Sequence, residues 1–233
     1  MLNIQLYNEN CFEFIKNIPD KSIDLIMTDP PYELDNHGGG KRRQWNNIQN
    51  NFILHLSNGF NYDFIFTEFL RVCKTPNILI FCSNKQISQI MSWFEKQKLS
   101  TTLLCWHKEG YVPFANGKHM SDIEFIVYVR GKNAHWNNNV DIKQKSKVLK
   151  DNWRIKKKVH PTEKSQEILN HLLQLHSFEG DTVLDPFMGS GSTGLVCQKN
   201  NRNFIGIEIE KEYFDIAQDI LNNIQIKIGE IDD

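Results

Sequence analysis

The feature that most restricts the fold is Thr182-Val183-Leu184-Asp185-Pro186-Phe187-Met188-Gly189-Ser190-Gly191-Ser192-Thr193-Gly194, followed by a helical stretch and then Asn203-Phe204-Ile205-Gly206-Ile207-Glu208. A short apolar run, a glycine-rich turn, a helix and a second apolar run make a βαβ unit, which requires a parallel sheet covered by helices. The rest of the chain agrees with it. Apolar, β-branched runs alternate with segments of helical period, so the expected class is α/β: a mostly parallel seven-stranded sheet with helices on both faces.

Strands are expected at Ile4–Tyr7, Asp24–Thr28, Asn77–Cys82, Thr102–His107, Asp122–Arg130, Thr182–Leu184 and Asn203–Ile207. The clearest helices are Tyr62–Val72, Lys85–Lys96, Glu163–His176, Ser192–Lys199 and Lys211–Ile224. No crossover helix fits between the fourth and fifth strands, so they should form an antiparallel pair at a sheet edge. With 233 residues, 40% of them hydrophobic, the chain makes one domain with one insertion, 1–233. Two polar stretches lack periodicity: 33–59, expected as a mobile loop, and 131–159, expected as a short inserted segment.

Several classes are excluded. No apolar run reaches the roughly 18 to 20 residues of a membrane span, and the N-terminus lacks a signal layout, so a cytoplasmic protein is expected. The five cysteines are scattered and never form C-x-x-C, which argues against disulfides and zinc; no metal is expected. None follows a proline, which sets aside a Pro-Cys thiolate adding to a pyrimidine ring.

Net charge is −1, yet its distribution is uneven. Nine basic residues against two acidic ones leave the stretch Lys132 to Lys158 at +7, and eight acidic against two basic leave Phe204 to Asp233 at −6. A local basic surface of this kind suits a phosphate backbone, though a solvated mobile loop has the same composition.

Three motifs carry chemistry. Asp29-Pro30-Pro31-Tyr32 directly follows the strand ending at Thr28. The prolines fix φ and stop the strand, so the loop presents acceptors and an aromatic face where ligands of open α/β sheets bind. An aromatic amine is a poor nucleophile because its lone pair is delocalised; Asp29 and the Pro30 carbonyl can each accept one N–H while Tyr32 stacks on the ring.

In the glycine motif, Gly189, Gly191 and Gly194 match G-x-G-x-x-G, which alone leaves an NAD-dependent oxidoreductase open. Asp185 and Pro186 before the glycines suit a cationic ligand better than a pyrophosphate, and Glu208 is placed to accept ribose hydroxyls. The third motif, His160-Pro161-Thr162-Glu163-Lys164-Ser165, reads either as a carboxylate site at a helix start or as capping alone.

In their order along the chain, D-P-P-Y, then H-P-T-x-K, then D-P-F-x-G-x-G, the three motifs resemble the β class of amino-methylating DNA methyltransferases, over nearly the whole chain. The resemblance implies a Rossmann-like methyltransferase fold and transfer of a methyl group from S-adenosylmethionine to double-stranded DNA. By position it implies that Asp29, Pro30, Pro31 and Tyr32 hold and activate a flipped base. The cofactor would be surrounded by Asn10, Cys11, Asp29, His160, Thr162 and Lys164, and by Asp185, Phe187, Met188, Gly189, Ser190, Gly191 and Glu208.

Target recognition would fall to 131–159, with Lys143, Lys145, Lys147, Arg154 and Lys156 on DNA. In the 33–59 loop, Lys41, Arg42 and Arg43 would track phosphates and Trp45 would fill the space of the flipped base; an exposed basic loop without that role is the alternative. N6-adenine members favour Asp at the first motif position and N4-cytosine members Ser, so Asp29 points to adenine. The chain departs from the family in its short recognition segment, in Asn10 for the usual Asp and in Ser165 for the usual Pro. A homodimer and a cognate restriction endonuclease are further expectations of the resemblance; a catalytically idle DNA-binding subunit is the non-enzymatic alternative, and the intact D-P-P-Y and D-P-F-x-G-x-G motifs argue against it.

Overall fold

A computed structural model describes residues 2–31, 60–110, 119–120, 122–152 and 164–229, with side chains in the last helix up to residue 223. Among these residues eight strands form one sheet: β1 (Ile4–Tyr7), β2 (Leu25–Thr28), β3 (Asn77–Cys82), β4 (Ser100–Glu109), β5 (Ile123–Arg130), β6 (Val148–Asn152), β7 (Thr182–Asp185) and β8 (Asn203–Ile207). Six α-helices accompany them: α1 (Cys11–Phe14), α2 (Tyr62–Val72), α3 (Ile87–Lys96), α4 (Gln166–His176), α5 (Ser192–Lys199) and α6 (Lys211–Gly229).

The strand order is β1-β8-β7-β2-β3-β5-β4-β6. The α/β class is as expected, with two corrections. The sheet has an eighth strand, because β6 arises inside the segment read as a polar insertion and pairs parallel with β4. The antiparallel strand, β5, is also not at an edge: it lies between β3 and β4 and pairs antiparallel with both.

Alternation sorts the strands' side chains onto two faces. Ile26, Ile78, Ile80, Val127, Val129 and Leu184 join α2 and α3 in one core cluster. Leu25, Met27, Leu79, Phe81, Ile126, Tyr128 and Val183 join α4, α5 and α6 in the other. The chain leaves β2 through α2 on the first face and β7 through α5 on the second. Since β2 and β7 are neighbours, these crossovers diverge and open a crevice at their carboxyl ends, the topological switch point of an open α/β sheet.

The β7–α5 turn divides its glycines by task. Gly189, at φ 53°, faces open space, with nothing within 4 Å of an added Cβ. Gly194 lets α5 close on β8: an added Cβ would stand 2.7 Å from Phe204 Cε1. Gly194→Ala should therefore cost about 1–3 kcal/mol by overpacking, against the roughly 1 kcal/mol that alanine normally gains in a helix. A net loss should appear as a thermal midpoint lowered by several degrees in calorimetry, and an unchanged or raised midpoint would contradict this packing.

Candidate active site

β2 ends in Thr28, whose hydroxyl donates to Asp185 Oδ1 at 2.8 Å, so the ends of β2 and β7 are tied side chain to side chain. Asp29 follows, half-buried, and Pro30 is buried. The Pro31 carbonyl accepts from Gln86 Nε2 at 3.4 Å, and the same amide donates to Tyr62 Oη at 2.7 Å. Gln86 is itself held through Oε1 by the Ser83 amide and hydroxyl. The proline loop is thereby braced by the start of α2 and the turn after β3.

Asp29 Oδ2 lies 2.8 Å from Lys164 Nζ, and that ammonium also meets Glu124 Oε2 at 2.9 Å. Glu124 in turn pairs with Lys108. Burial alone would raise the Glu124 carboxyl, but the flanking charges of Lys164 and Lys108 outweigh it and hold the group at about 2. Sequence reading did not single out Gln86 or Glu124. For Glu124 a signal existed: an acid inside the apolar strand Ile123–Arg130.

On the other side, Asp185 accepts from Thr28 and from the Phe187 amide at 3.2 Å. Burial pushes its carboxyl up to about 7, against the opposing hydrogen bonds from Thr28, Thr193 and Phe187. Glu208, just past β8, accepts from Gly189 N at 2.9 Å on Oε2 and from Glu210 N at 2.8 Å on Oε1. Burial raises its pKa as well. Each oxygen keeps a second lone pair for a ligand hydroxyl. Asn8 Nδ2 secures the same corner by donating to the Glu208 and Ile209 carbonyls.

Asp29, Lys164, Asp185, Gly189 and Glu208 line one cleft of about 1090 Å³, measured out to its open mouth. Of the expected cofactor residues, Cys11, Asp29, Lys164, Asp185, Phe187, Met188, Gly189, Ser190 and Glu208 lie on its wall. Asn10 and Gly191 play structural parts: Asn10 caps α1 by accepting from Phe12 N at 2.9 Å, and Gly191 is the left-handed residue that starts α5. Cys11 is buried and its thiol is pushed up by desolvation, so it is a neutral wall. Tyr32, His160 and Thr162 lie outside the described residues, as do Lys41, Arg42, Arg43, Trp45, Arg154 and Lys156.

The lining answers the question left open by the glycine pattern. Glu9, Asp29, Asp185, Glu208 and Glu210 stand against Lys164. An acid-rich cleft repels a pyrophosphate and favours a cation, and the open face of Gly189 lets a ligand approach the backbone. Together with the hydrogen-bonded Glu208 carboxylate, these residues fit a nucleoside that carries a sulfonium.

Lys143, Lys145 and Lys147 are not among the residues lining this cleft; they precede β6, whose first residue, Val148, is level across the sheet with Cys105, Phe125 and Cys82 at the carboxyl end of β3. Among the described residues, Asp24, His135 and Asp181 bring three metal-capable side chains within 4.8 Å of one another, beside the starts of β2 and β7. His135 Nδ1 already pairs with Asp181 at 2.8 Å and Lys74 with Asp24 at 2.8 Å. No helix among the described residues is long and apolar enough to cross a membrane.

The family model described as DNA methylase, of the N6/N4 methyltransferase type, matches residues 23–219. The chain is 30% identical over 242 residues to the Type II methyltransferase M2.DpnII of Streptococcus pneumoniae, covering 91% of this chain and 87% of that protein. It is 31% identical over 249 residues to the Type II methyltransferase M.HpaI of Haemophilus parainfluenzae, covering 94% and 74%. Among solved structures, the M1.HpyAVI–SAM complex superposes with a TM-score of 0.68 at 32% identity, over 93% of this chain and 98% of that one. The cytosine-N4-specific PvuII DNA methyltransferase superposes at 0.69 with 16% identity, over 94% and 93%, a likeness of fold alone.

Proposed function

The chain belongs to the N6/N4 DNA methylase family, a family of S-adenosylmethionine-dependent DNA methyltransferases, and from that premise we propose that it methylates N6 of adenine, with Asp29 as the acceptor that activates the amine. The observation that carries this reading is the position of Asp29: it directly follows β2 on the wall of the cleft that also holds Asp185, Gly189 and Glu208. Bound S-adenosylmethionine supplies an electrophilic methyl group on a positively charged sulfur.

The chain's own groups do the rest. Glu208 accepts hydroxyls of the ribose, and Gly189 lets the ligand lie against the backbone. Asp29 and the Pro30 carbonyl accept the two N–H bonds of the target amine, which localises its lone pair for in-line attack. The nitrogen gains positive charge as its bond to the methyl carbon replaces that carbon's bond to sulfur, whose electron pair returns to the sulfur to leave a neutral thioether, and Asp29 stabilises the new charge until a proton leaves to solvent. Tyr32 stacks on the base taken out of the duplex, at a cost of a few kcal/mol in lost stacking and pairing. No covalent enzyme intermediate is required, which suits the buried, protonated Cys11.

Arg154 and Lys156, in the chain that follows the cleft-side end of β6, grip DNA phosphates near the target, with Lys41, Arg42 and Arg43 of the 33–59 loop. Lys143, Lys145 and Lys147, in the segment before β6, contact further phosphates. The Type II names of the relatives support a cognate restriction endonuclease as functional partner, and the family resemblance supports a homodimer.

The base assignment has a direct test. DNA amplified with N6-methyl-dATP should accept no further methyl, whereas DNA amplified with N4-methyl-dCTP should still accept it; the reverse pattern would assign cytosine.

Asp185 gives a second expected result. A cation entering the cleft favours the ionised carboxylate, so a group that titrates at about 7 in the free protein must lose its proton as the ligand binds. S-adenosylmethionine affinity should therefore weaken as pH falls below 7, approaching roughly tenfold per pH unit. Titration calorimetry from pH 5.5 to 8.5 reads this slope, which Asp185→Asn should flatten; equal slopes in both proteins would refute the assignment.

A further inference from the structure

Four charges of alternating sign lead back from the cleft wall, where Asp29 and Lys164 lie. Lys108, 10% exposed, pairs with Glu124 Oε1. Glu124 Oε2 holds Lys164 Nζ at 2.9 Å, and Lys164 holds Asp29 Oδ2 at 2.8 Å. Lys108 is fixed further by the Trp106 ring at 4.9 Å, and Lys164 by the Phe81 ring at 5.0 Å. Trp106 and Phe81 are fully buried parts of the sheet core. The chain of charges therefore starts from rigid strands and ends on the carboxylate assigned to the amine.

We infer that Glu124 is a positioning residue for methyl transfer: with Lys108 behind it, Glu124 fixes the Lys164 ammonium on Asp29 and so sets the direction in which the Asp29 carboxylate faces the target amine. A lysine side chain at a cleft mouth otherwise has many rotamers, and two carboxylates on one ammonium select a single one. Glu124 also separates two cations. Without its charge, Lys108 and Lys164 repel each other across a gap that one carboxylate had neutralised, and Lys164 moves off Asp29. An acceptor misdirected by about 1 Å can lose roughly 10²-fold in rate. Glu124 itself is not placed to touch base or cofactor, so its effect passes through Lys164.

This inference rests on Asp29 being the amine acceptor. The test is a set of four proteins, wild type, Glu124→Gln, Lys164→Met and the double variant, with Glu124→Asp as the conservative control. Glu124→Gln should lower kcat by about 10- to 100-fold while KM for DNA and the Kd for S-adenosylmethionine stay within about threefold. Glu124→Asp should recover part of the loss. Adding Glu124→Gln to Lys164→Met should cost nothing more, because its effect is already gone. Unchanged kcat, or a loss that multiplies in the double variant, would overturn the inference.

A merely structural role would instead lower the thermal midpoint and slow both backgrounds alike. The ion pair is also read without turnover, from the Lys164 Nζ resonance of ¹⁵N-lysine-labelled protein, assigned by its absence in Lys164→Met. It should respond to Asp29→Asn in the wild type and not in the Glu124→Gln protein; equal responses would overturn the inference. A wild-type protein that keeps this resonance pattern yet transfers no methyl would remove the functional reading and leave the ion-pair chain standing.

Discussion

Asp29→Ala should abolish measurable methyl transfer while leaving S-adenosylmethionine affinity within about tenfold. The carboxylate stands at the end of β2 on the open side of the cleft, half-buried and paired with Lys164. The groups that would seat the nucleoside, Gly189 and Glu208, are held by their own hydrogen bond and by the Glu210 amide. Removing a preorganised acceptor aimed at developing charge costs roughly 10²- to 10³-fold. Here the amine lone pair also returns to the ring, which raises the loss further. Single-turnover transfer measured beside titration calorimetry separates the two quantities. Equal loss of transfer and cofactor affinity would mean that Asp29 holds the cofactor rather than the base.

Glu208→Ala should show the opposite split. Both carboxylate oxygens accept backbone amides that shape the glycine turn and the start of the segment after β8. In the proposed reading, their remaining lone pairs would accept the ribose hydroxyls. Hydrogen bonds to a charged acceptor are worth about 1.5–3 kcal/mol, so losing two of them should weaken S-adenosylmethionine binding by at least roughly 10²-fold. The rate at saturating cofactor should change far less. A Kd within threefold of the wild type would show that the nucleoside lies elsewhere in the cleft.

The parts of this architecture that depend on neighbours in sequence were legible from the chain. β1, β3 and β8 coincide with the expected runs, as do α2 and α5, because each is a compact apolar pattern bounded by polar or glycine residues. The β7–α5 turn and the place of Asp29 after β2 follow from the same local rules.

What was not legible depends on long-range pairing. β6 contains only two apolar residues, of which Leu149 is buried and Val148 is half exposed, in a lysine-rich setting. An edge strand with one partner needs little hydrophobic signal. The placing of β5 next to β3 is a choice between two strands that sequence adjacency does not make. The apolar run of β5, buried on both faces, is nonetheless the pattern of an interior strand, while β4 alternates like a less central one. Gln86 and Glu124 act on residues 55 and 40 positions away, so their roles exist only once the sheet has formed.

The most direct test of the central claim is incubation of the purified protein with methyl-labelled S-adenosylmethionine and mixed-sequence duplex DNA, followed by digestion to nucleosides and mass spectrometry. Labelled N6-methyladenine is the expected product. N4-methylcytosine in its place would contradict the base assigned to Asp29, and DNA carrying no label would contradict the account of the cleft as a site of methyl transfer to DNA.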